Sequence, residues 1–382
     1  MGSDVLHLVQ PADGGVARVV ADLVRAQTAA GLRVVVGCPP GGPLAGAVGA
    51  DVLPWEAERA PGRRLPAEVA GAARVVRRAA PRLVHLHSAK AGLAGRLALR
   101  GRLPTVYQPH AWSFEAVGGP AARLATAWER LAVRWTDRVL CVSEAERERG
   151  LGAGIDARWA VVPNGVDPGR HPVADGVARR QARAALAAVH ALPQRAPLVV
   201  CVARLCRQKG QDLLLRAWPR VAARVPGARL ALVGDGPQRA ALRAAAGPGV
   251  LLAGHTDDPG PWYAAADVVV LPSRWEGMAL APLEAMATGR PVVLTDTGGA
   301  RACLPPGHAP HCLVAPGDAD GLARALAALL DDPARRRALG REAAAHARAA
   351  HDVRRSAAAC ALLYRELLTP HAAESTRELC RS

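Results

Sequence analysis

Lysine is almost missing from this chain. Among 49 basic residues only Lys90 and Lys209 are lysines, and arginine supplies the other 47. Asn164 is the single asparagine, Ile155 the single isoleucine and Phe114 the single phenylalanine, while aromatics fill 3% of the 382 positions. Alanine, arginine, glycine, proline and valine take their place, as a GC-rich genome would impose. No apolar run reaches the ~18–20 residues of a membrane span. Met1-Gly2-Ser3-Asp4 opens without a basic stretch or a small-residue cleavage site, which speaks against a secretory leader and for a cytoplasmic protein. The eight cysteines form no Cys-x-x-Cys pair and no Cys/His set with zinc spacing, so structural thiols and no metal site are expected. Neither a heptad array nor a repeat of about 20–50 residues is present.

What is present excludes disorder. Half the residues are hydrophobic and 21% are charged, and the length suits two domains with real cores. The formal charge of +16 admits a nucleic-acid partner. Such a partner calls for basic residues interleaved with aromatics, a helix-turn-helix pattern or zinc spacing, and none occurs. The excess is read as scattered, solvated arginine. Against that background, a residue type nearly erased from the chain is informative where it survives.

Short apolar runs at Val5–Val9, Arg33–Gly37, Leu83–His87, Thr105–Gln108, Arg138–Val142 and Ala160–Val162 read as buried strands. Ala/Arg-rich helical stretches separate them, among them 16–30, 67–80, 92–100 and 120–135. The strand signal lapses across Pro168–Pro197. A second series follows at Leu198–Ala203, Arg229–Val233, Val250–Ala253, Val268–Leu271 and Pro291–Thr295, with helices through Leu368 and then a polar tail. The expectation is two doubly wound α/β domains, 1–185 and 186–382, facing across a cleft. The last helix is a candidate to pack back on the first domain.

Three places carry chemistry. Asp13-Gly14-Gly15 sits between a strand and a helix, where glycines allow close approach of a ligand and the helix start favours an anion. A tight turn explains it equally. In Val202-Ala203-Arg204-Leu205-Cys206-Arg207-Gln208-Lys209-Gly210, Arg204 and Lys209 can converge on one anion at the carboxyl edge of a sheet. A lysine retained among so many arginines fits a compact ammonium set on a phosphate. In Pro272–Ala287, a loop carries Glu276, a helix starts near Met278–Leu280, and Glu284 falls about one turn inside it. Backbone N–H groups at that start would face a phosphate between the two carboxylates. Ser143-Glu144 reads as a ligand contact or a helix cap. Of His85 and His87, one is expected to be structural and the other at most a cleft contact.

These stretches, with Pro163-Asn164-Gly165, Gly234-Asp235-Gly236-Pro237, Gly289-Arg290-Pro291, Thr297-Gly298-Gly299 and, more loosely, His85-Leu86-His87 and His110-Ala111-Trp112-Ser113-Phe114, resemble the retaining GT-B glycosyltransferases of family 4. The resemblance spans nearly the whole chain and is most specific in the second half. It implies that a nucleotide-diphosphate sugar is the donor and that no cofactor or metal is required. Arg204 and Lys209 would hold the diphosphate, Glu276 the sugar hydroxyls and Glu284 the ribose. Gly277, Met278, Ala279 and Leu280 would form the phosphate loop, and Gly234 and Asn164 would belong to the donor side. His110, beside the retained Trp112 and Phe114, would face the sugar. Gly14 and Gly15 would line the acceptor side. Ala279 stands where many members carry a second glycine.

The acceptor implied is a sugar, a lipid-linked glycan or a small-molecule aglycone, in surface polysaccharide or natural-product synthesis. Arginine-rich helices at Arg74–Arg78 and Arg96–Arg102 offer a face for peripheral contact with anionic lipid at the inner face of the membrane. The competing readings are another GT-B-like enzyme, an epimerase or a phosphorylase, and a basic nucleic-acid-binding protein.

Overall fold

The computed structural model describes residues 2–369; the expected polar tail after Thr369, with Cys380, lies outside them. Valine-rich runs too short for helices become strands buried on both faces, and the Ala/Arg stretches cover them as helices. The first sheet holds β1 (Val5–Val9), β2 (Val34–Cys38), β3 (Asp51–Pro54), β4 (Leu83–His87), β5 (Thr105–Gln108), β6 (Arg138–Cys141) and β7 (Trp159–Val161). Its strands are all parallel in the order β3-β2-β1-β4-β5-β6-β7. The second sheet holds β8 (Leu198–Val202), β9 (Arg229–Val233), β10 (Val250–Gly254), β11 (Val268–Leu271), β12 (Val292–Thr295) and β13 (Leu313–Val314). It is parallel as well, in the order β10-β9-β8-β11-β12-β13.

Each order reverses once, between β1 and β4 in the first sheet and between β8 and β11 in the second. A doubly wound sheet binds ligands in the crevice at that reversal, beyond the carboxyl ends of its strands. Gly14-Gly15 follows β1, Arg204–Lys209 follows β8 and Glu276 follows β11. The fold therefore delivers all three sequence motifs to switch points.

Residue 186 lies inside the helix Gly176–His190, whose Ala182 and Leu186 belong to the core of the second sheet. Arg183 on this helix donates to the Ala265 carbonyl at 2.6 Å and to Asp267 at 2.8 Å, both beside β11. The closing helices are Pro333–Ala350 and Val353–Leu368, broken at His351-Asp352. The second crosses to the first domain and packs Ala357, Cys360, Leu363 and Tyr364 among Val5, Leu23, Leu83, Val106 and Leu140. At the crossing, Val166 N–H donates to the His351 carbonyl at 2.8 Å and Val353 N–H to the Val166 carbonyl at 3.1 Å.

Candidate functional site

The second switch point is built by two loops leaning on each other. Between β8 and the helix Gln211–Arg224, a single 3-10 turn at Arg207–Lys209 lifts Lys209 toward β11. The Lys209 ammonium pairs with the Glu276 carboxylate, and the Ser273 hydroxyl donates to the same Glu276 oxygen at 2.7 Å. Glu276 is buried, and Lys209 is partly buried. Arg204 is exposed and forms no ion pair among the described residues, so its guanidinium is free for an anion. Gly234, the residue after β9, has φ +140 and its α-carbon against the Ala203 carbonyl, an approach that leaves no room for a side chain.

The helix behind Glu276 starts at Leu280, with Ala279 as its extended cap residue and no side-chain cap. Its first N–H groups therefore have no side-chain partner at the cap. Glu284 is the fifth residue of this helix and is buried. The Tyr263 hydroxyl donates to it at 2.6 Å, and Arg18 reaches it at 3.3 Å from the first domain. Neither Arg18 nor Tyr263 stood out in the sequence, because each looks ordinary until the fold places it beside Glu284.

The first domain supplies the opposite wall. Gly14 has φ +68 and opens the helix Gly14–Ala29, and both Gly14 and Gly15 face open space. Gly277 presses on the His110 carbonyl and Val142, where an added Cβ would meet atoms at 2.9–3.0 Å. Asn164 donates from its side-chain amide to the Met278 carbonyl at 2.7 Å, Arg149 donates to the Glu276 carbonyl at 3.0 Å, and the Ser143 hydroxyl lies 3.5 Å from the Gly277 carbonyl. Three successive carbonyls of the loop 276–278 are thus held from the first domain. Ser143 also caps the helix Glu144–Gly152 by accepting from Glu146 N–H at 3.2 Å, which is the helix-cap reading of the sequence.

His110 lies at this junction, and a line of buried histidines stands behind it. His7 on β1 and His85 and His87 on β4 share one face of the first sheet, because β1 and β4 are neighbours and His7 is level with His85. His87 Nδ1 is 3.0 Å from His110 Nε2, and His87 Nε2 is 2.8 Å from His7 Nδ1. Burial holds the His110 pKa down to about 3 and that of His7 down to about 4, and puts His85 and His87 well below the ordinary value. All four rings are therefore neutral near pH 7. Donor atoms of His7, His85 and His87 lie within 4.8 Å of one another, a grouping with the reach to hold a metal ion. The sequence carries no zinc spacing here because these residues meet through strand order and not through proximity in the chain.

Several surviving residue types serve structure. Phe114 stacks on Trp112 at 5.4 Å between ring centres, and Trp112 is core. Those aromatics pack together behind the loop that carries His110. Lys90 is buried and donates to Glu68 at 2.6 Å. Arg96, expected on a lipid-facing surface, is buried against Glu129 at 2.8 Å with its guanidinium 4.0 Å above the Tyr107 ring. Its own helix, Ser88–Leu99, packs that face inward; Arg74, Arg77, Arg78, Arg100 and Arg102 remain exposed.

Two parallel-sheet domains joined across facing switch points have the architecture of GT-B glycosyltransferases. Sucrose-phosphate synthase from Thermosynechococcus elongatus superposes with TM-score 0.79 at 26% identity, covering 96% of this chain and 99% of that one. Anabaena HepE, solved with UDP and glucose, gives TM-score 0.80 at 24% identity over 94% of this chain and 99% of that one. The Glycosyl transferases group 1 model matches residues 196–332 and the Glycosyltransferase Family 4 model residues 13–170. The lipopolysaccharide core mannosyltransferase LpsB of Rhizobium meliloti is 31% identical over 256 residues, 64% of this chain and 69% of that protein. The chain belongs to glycosyltransferase family 4 and is a glycosyltransferase. The comparisons lend no support to the epimerase, phosphorylase or nucleic-acid readings.

Proposed function

We propose that this glycosyltransferase moves a sugar from a nucleoside-diphosphate donor to a hydroxyl of a lipid-linked or cell-surface glycan, with retention at the anomeric carbon. The observation that carries the reading is the convergence of Lys209, Arg204 and the start of the Leu280 helix on one sheet edge, with Glu276 and Glu284 on either side. The cations and the helix start would take the diphosphate. Lys209 would exchange Glu276 for phosphate, freeing that carboxylate for sugar hydroxyls, with Ser273 still holding it. Glu284, fixed by Tyr263 and Arg18, would take the ribose, and His110 would face the sugar. Asn164 and Gly234 act on this reading by holding the donor loops, and Gly14 and Gly15 leave space for the acceptor.

In the transfer, the acceptor oxygen bonds to the anomeric carbon as the bond to the leaving phosphate breaks. The hydroxyl proton passes to that phosphate oxygen, and the nucleoside diphosphate departs on Arg204 and Lys209. No cofactor is needed on this reading. Support for a nucleotide donor comes from HepE, solved with UDP and glucose, and for a lipid-linked acceptor from a relative in Escherichia coli named as a galactosyltransferase acting on GlcNAc-diphosphoundecaprenol, 29% identical over 263 residues.

No helix among the described residues is long and apolar enough to cross a membrane. Contact at the surface is a different matter. On the helix Gly119–Ala132 and its approach, Val117, Leu124 and Leu131 are exposed, Leu124 at 74%, and Arg123, Arg130 and Arg134 are exposed around them. Glu129, the helix's acidic residue, is turned inward to Arg96. This face would rest on anionic lipid beside the acceptor. The deciding experiment is a thermal-shift panel of UDP-, GDP-, ADP- and dTDP-sugars, followed by mass spectrometry of products. Nucleoside diphosphate released only with an acceptor present is the expected result; release without one, or no stabilisation by any donor, would overturn the reading.

A further inference from the structure

The histidines behind His110 form one hydrogen-bonded chain whose direction follows from the Gln27 amide. Gln27, on the helix Gly14–Ala29, accepts at Oε1 from His7 Nε2 at 2.8 Å. Its amide nitrogen donates to the Tyr364 hydroxyl at 3.3 Å, and that hydroxyl lies 2.6 Å from His85 Nδ1. His85 Nε2 and Gln108 Oε1 are both buried without a hydrogen-bond partner. Among the described residues, no charged side chain hydrogen-bonds any of the four rings.

A neutral imidazole has one N–H and one lone pair, so each ring that uses both nitrogens passes the polarity on. With the Gln27 amide nitrogen donating to its oxygen, the Tyr364 hydroxyl has its own proton for His85 Nδ1. The same amide orientation turns the Gln27 carbonyl to His7. His7 donates from Nε2 and accepts at Nδ1 from His87 Nε2–H, and His87 accepts at Nδ1 from His110 Nε2–H. With the Gln27 carbonyl toward His7 and its amide nitrogen toward Tyr364, this proton arrangement satisfies every contact in the chain, and it leaves His110 with its lone pair on Nδ1.

We propose that His87, His7 and Tyr364 are positioning residues that fix His110 in its Nε2–H form, so that His110 offers the cleft a hydrogen-bond acceptor and selects a substrate hydroxyl. This rests on the reading of His110 as facing the sugar. The backbone supports it: His110 has φ +59 and Ala111 φ +132, strained conformations that persist where the surroundings over-determine them. The His7–His87 pair stands at hydrogen-bond spacing and not at the spacing of two nitrogens on one metal ion. Two nitrogens on a tetrahedral zinc stand about 3.3 Å apart, whereas His7 and His87 are at 2.8 Å, a hydrogen-bond distance.

The test combines ring NMR with kinetics on the full chain. Nitrogen shifts of labelled histidine are expected to show wild-type His110 as the Nε2–H form. His87→Leu should mix the two forms and lower kcat about tenfold or more, while KM for the nucleotide sugar stays within about threefold. His87→Asn, which keeps an acceptor in place of Nδ1, should restore most of the rate. Tyr364→Phe preserves the buried ring and tests the far end; it should also mix the forms and slow transfer several-fold. His110 found in the Nδ1–H form, an unchanged tautomer and kcat in both His87→Leu and Tyr364→Phe, or one tightly held zinc per chain on these rings would overturn the proposal. If no nucleotide sugar is turned over by the wild type, the transfer reading fails while the NMR measurement still decides the chain.

Discussion

Asn164 and Met278 come from different domains, yet the side-chain amide of one donates to the main-chain carbonyl of the other at 2.7 Å. The asparagine is fixed from behind, since His351 Nδ1 lies 3.1 Å from its own carbonyl. Asn164→Ala would leave the Met278 carbonyl without its partner, a loss of about 1–3 kcal/mol. The expected outcome is a roughly tenfold or larger fall in kcat/KM for the nucleotide sugar with the domains individually folded. Steady-state kinetics beside a thermal melt reads both quantities.

Lys209 should tolerate no substitution, including the one that keeps its charge. Lys209→Ala removes a cation proposed to sit on the leaving diphosphate, and kcat should fall about 100-fold or more. Lys209→Arg should recover little, because a planar fork does not replace a compact ammonium packed against Glu276 and Ser273. Nucleotide-sugar turnover in the two variants checks this, and near-normal kcat in Lys209→Ala would remove the residue from the reaction.

The other lysine should behave in the opposite way. Lys90 and Glu68 are both buried and paired at 2.6 Å, so Lys90→Ala strands a buried carboxylate and should cost about 3–5 kcal/mol. Whatever folded protein remains should keep a normal KM for the donor. Urea unfolding and kinetics on the same preparation separate the two effects.

Stability should change with pH in two opposed ways. The buried rings have folded pKa values below the unfolded value of 6.5, His7 at about 4 and His110 at about 3. The unfolded chain therefore takes up protons first, and stability is lost as pH falls below 6.5. Glu146 is the reverse: burial raises it from 4.5 to about 7, so its contribution is lost as pH rises between those values. Glu146→Gln removes the second slope, and its Tm should climb more steeply than that of the wild type from pH 5 to about 7. Scanning calorimetry across that range gives the comparison.

The exposed face around Leu124 makes a prediction at lipid surfaces. Wild-type protein should sediment with phosphatidylglycerol vesicles at low salt, and far less with neutral vesicles or near 0.5 M salt, where screening shortens the reach of Arg123, Arg130 and Arg134 to ~4 Å. Leu124→Asp with Leu131→Asp should cut binding about tenfold.

Much of this was legible from composition and period. The alternation of valine-rich runs with Ala/Arg helices gives both sheets, and the loops after β8 and β11 carry their residues in one contiguous stretch each. The edges were harder. β3, Asp51–Pro54, has four residues, is partly exposed and ends in proline, and β13 has two residues, so neither carries a strand signal. The histidine chain was hidden for a topological reason: His7 and His85 are level only because β4 inserts beside β1. Rarity also misled in part, since Lys90 and Phe114 survive for packing while Lys209 and Asn164 stand at the cleft.

The crossing of Val353–Leu368 onto the first sheet sets the order in which the molecule can be made. Val5, Leu23 and Leu83 are synthesised early, but the residues that cover them come more than two hundred positions later. During translation the first domain waits with an open seam while the second is completed, and a chaperone or the ribosome surface has that interval in which to act. The two halves are separate sheets joined by one late-made helix, and the histidine chain acquires its Tyr364 end only when the seam closes.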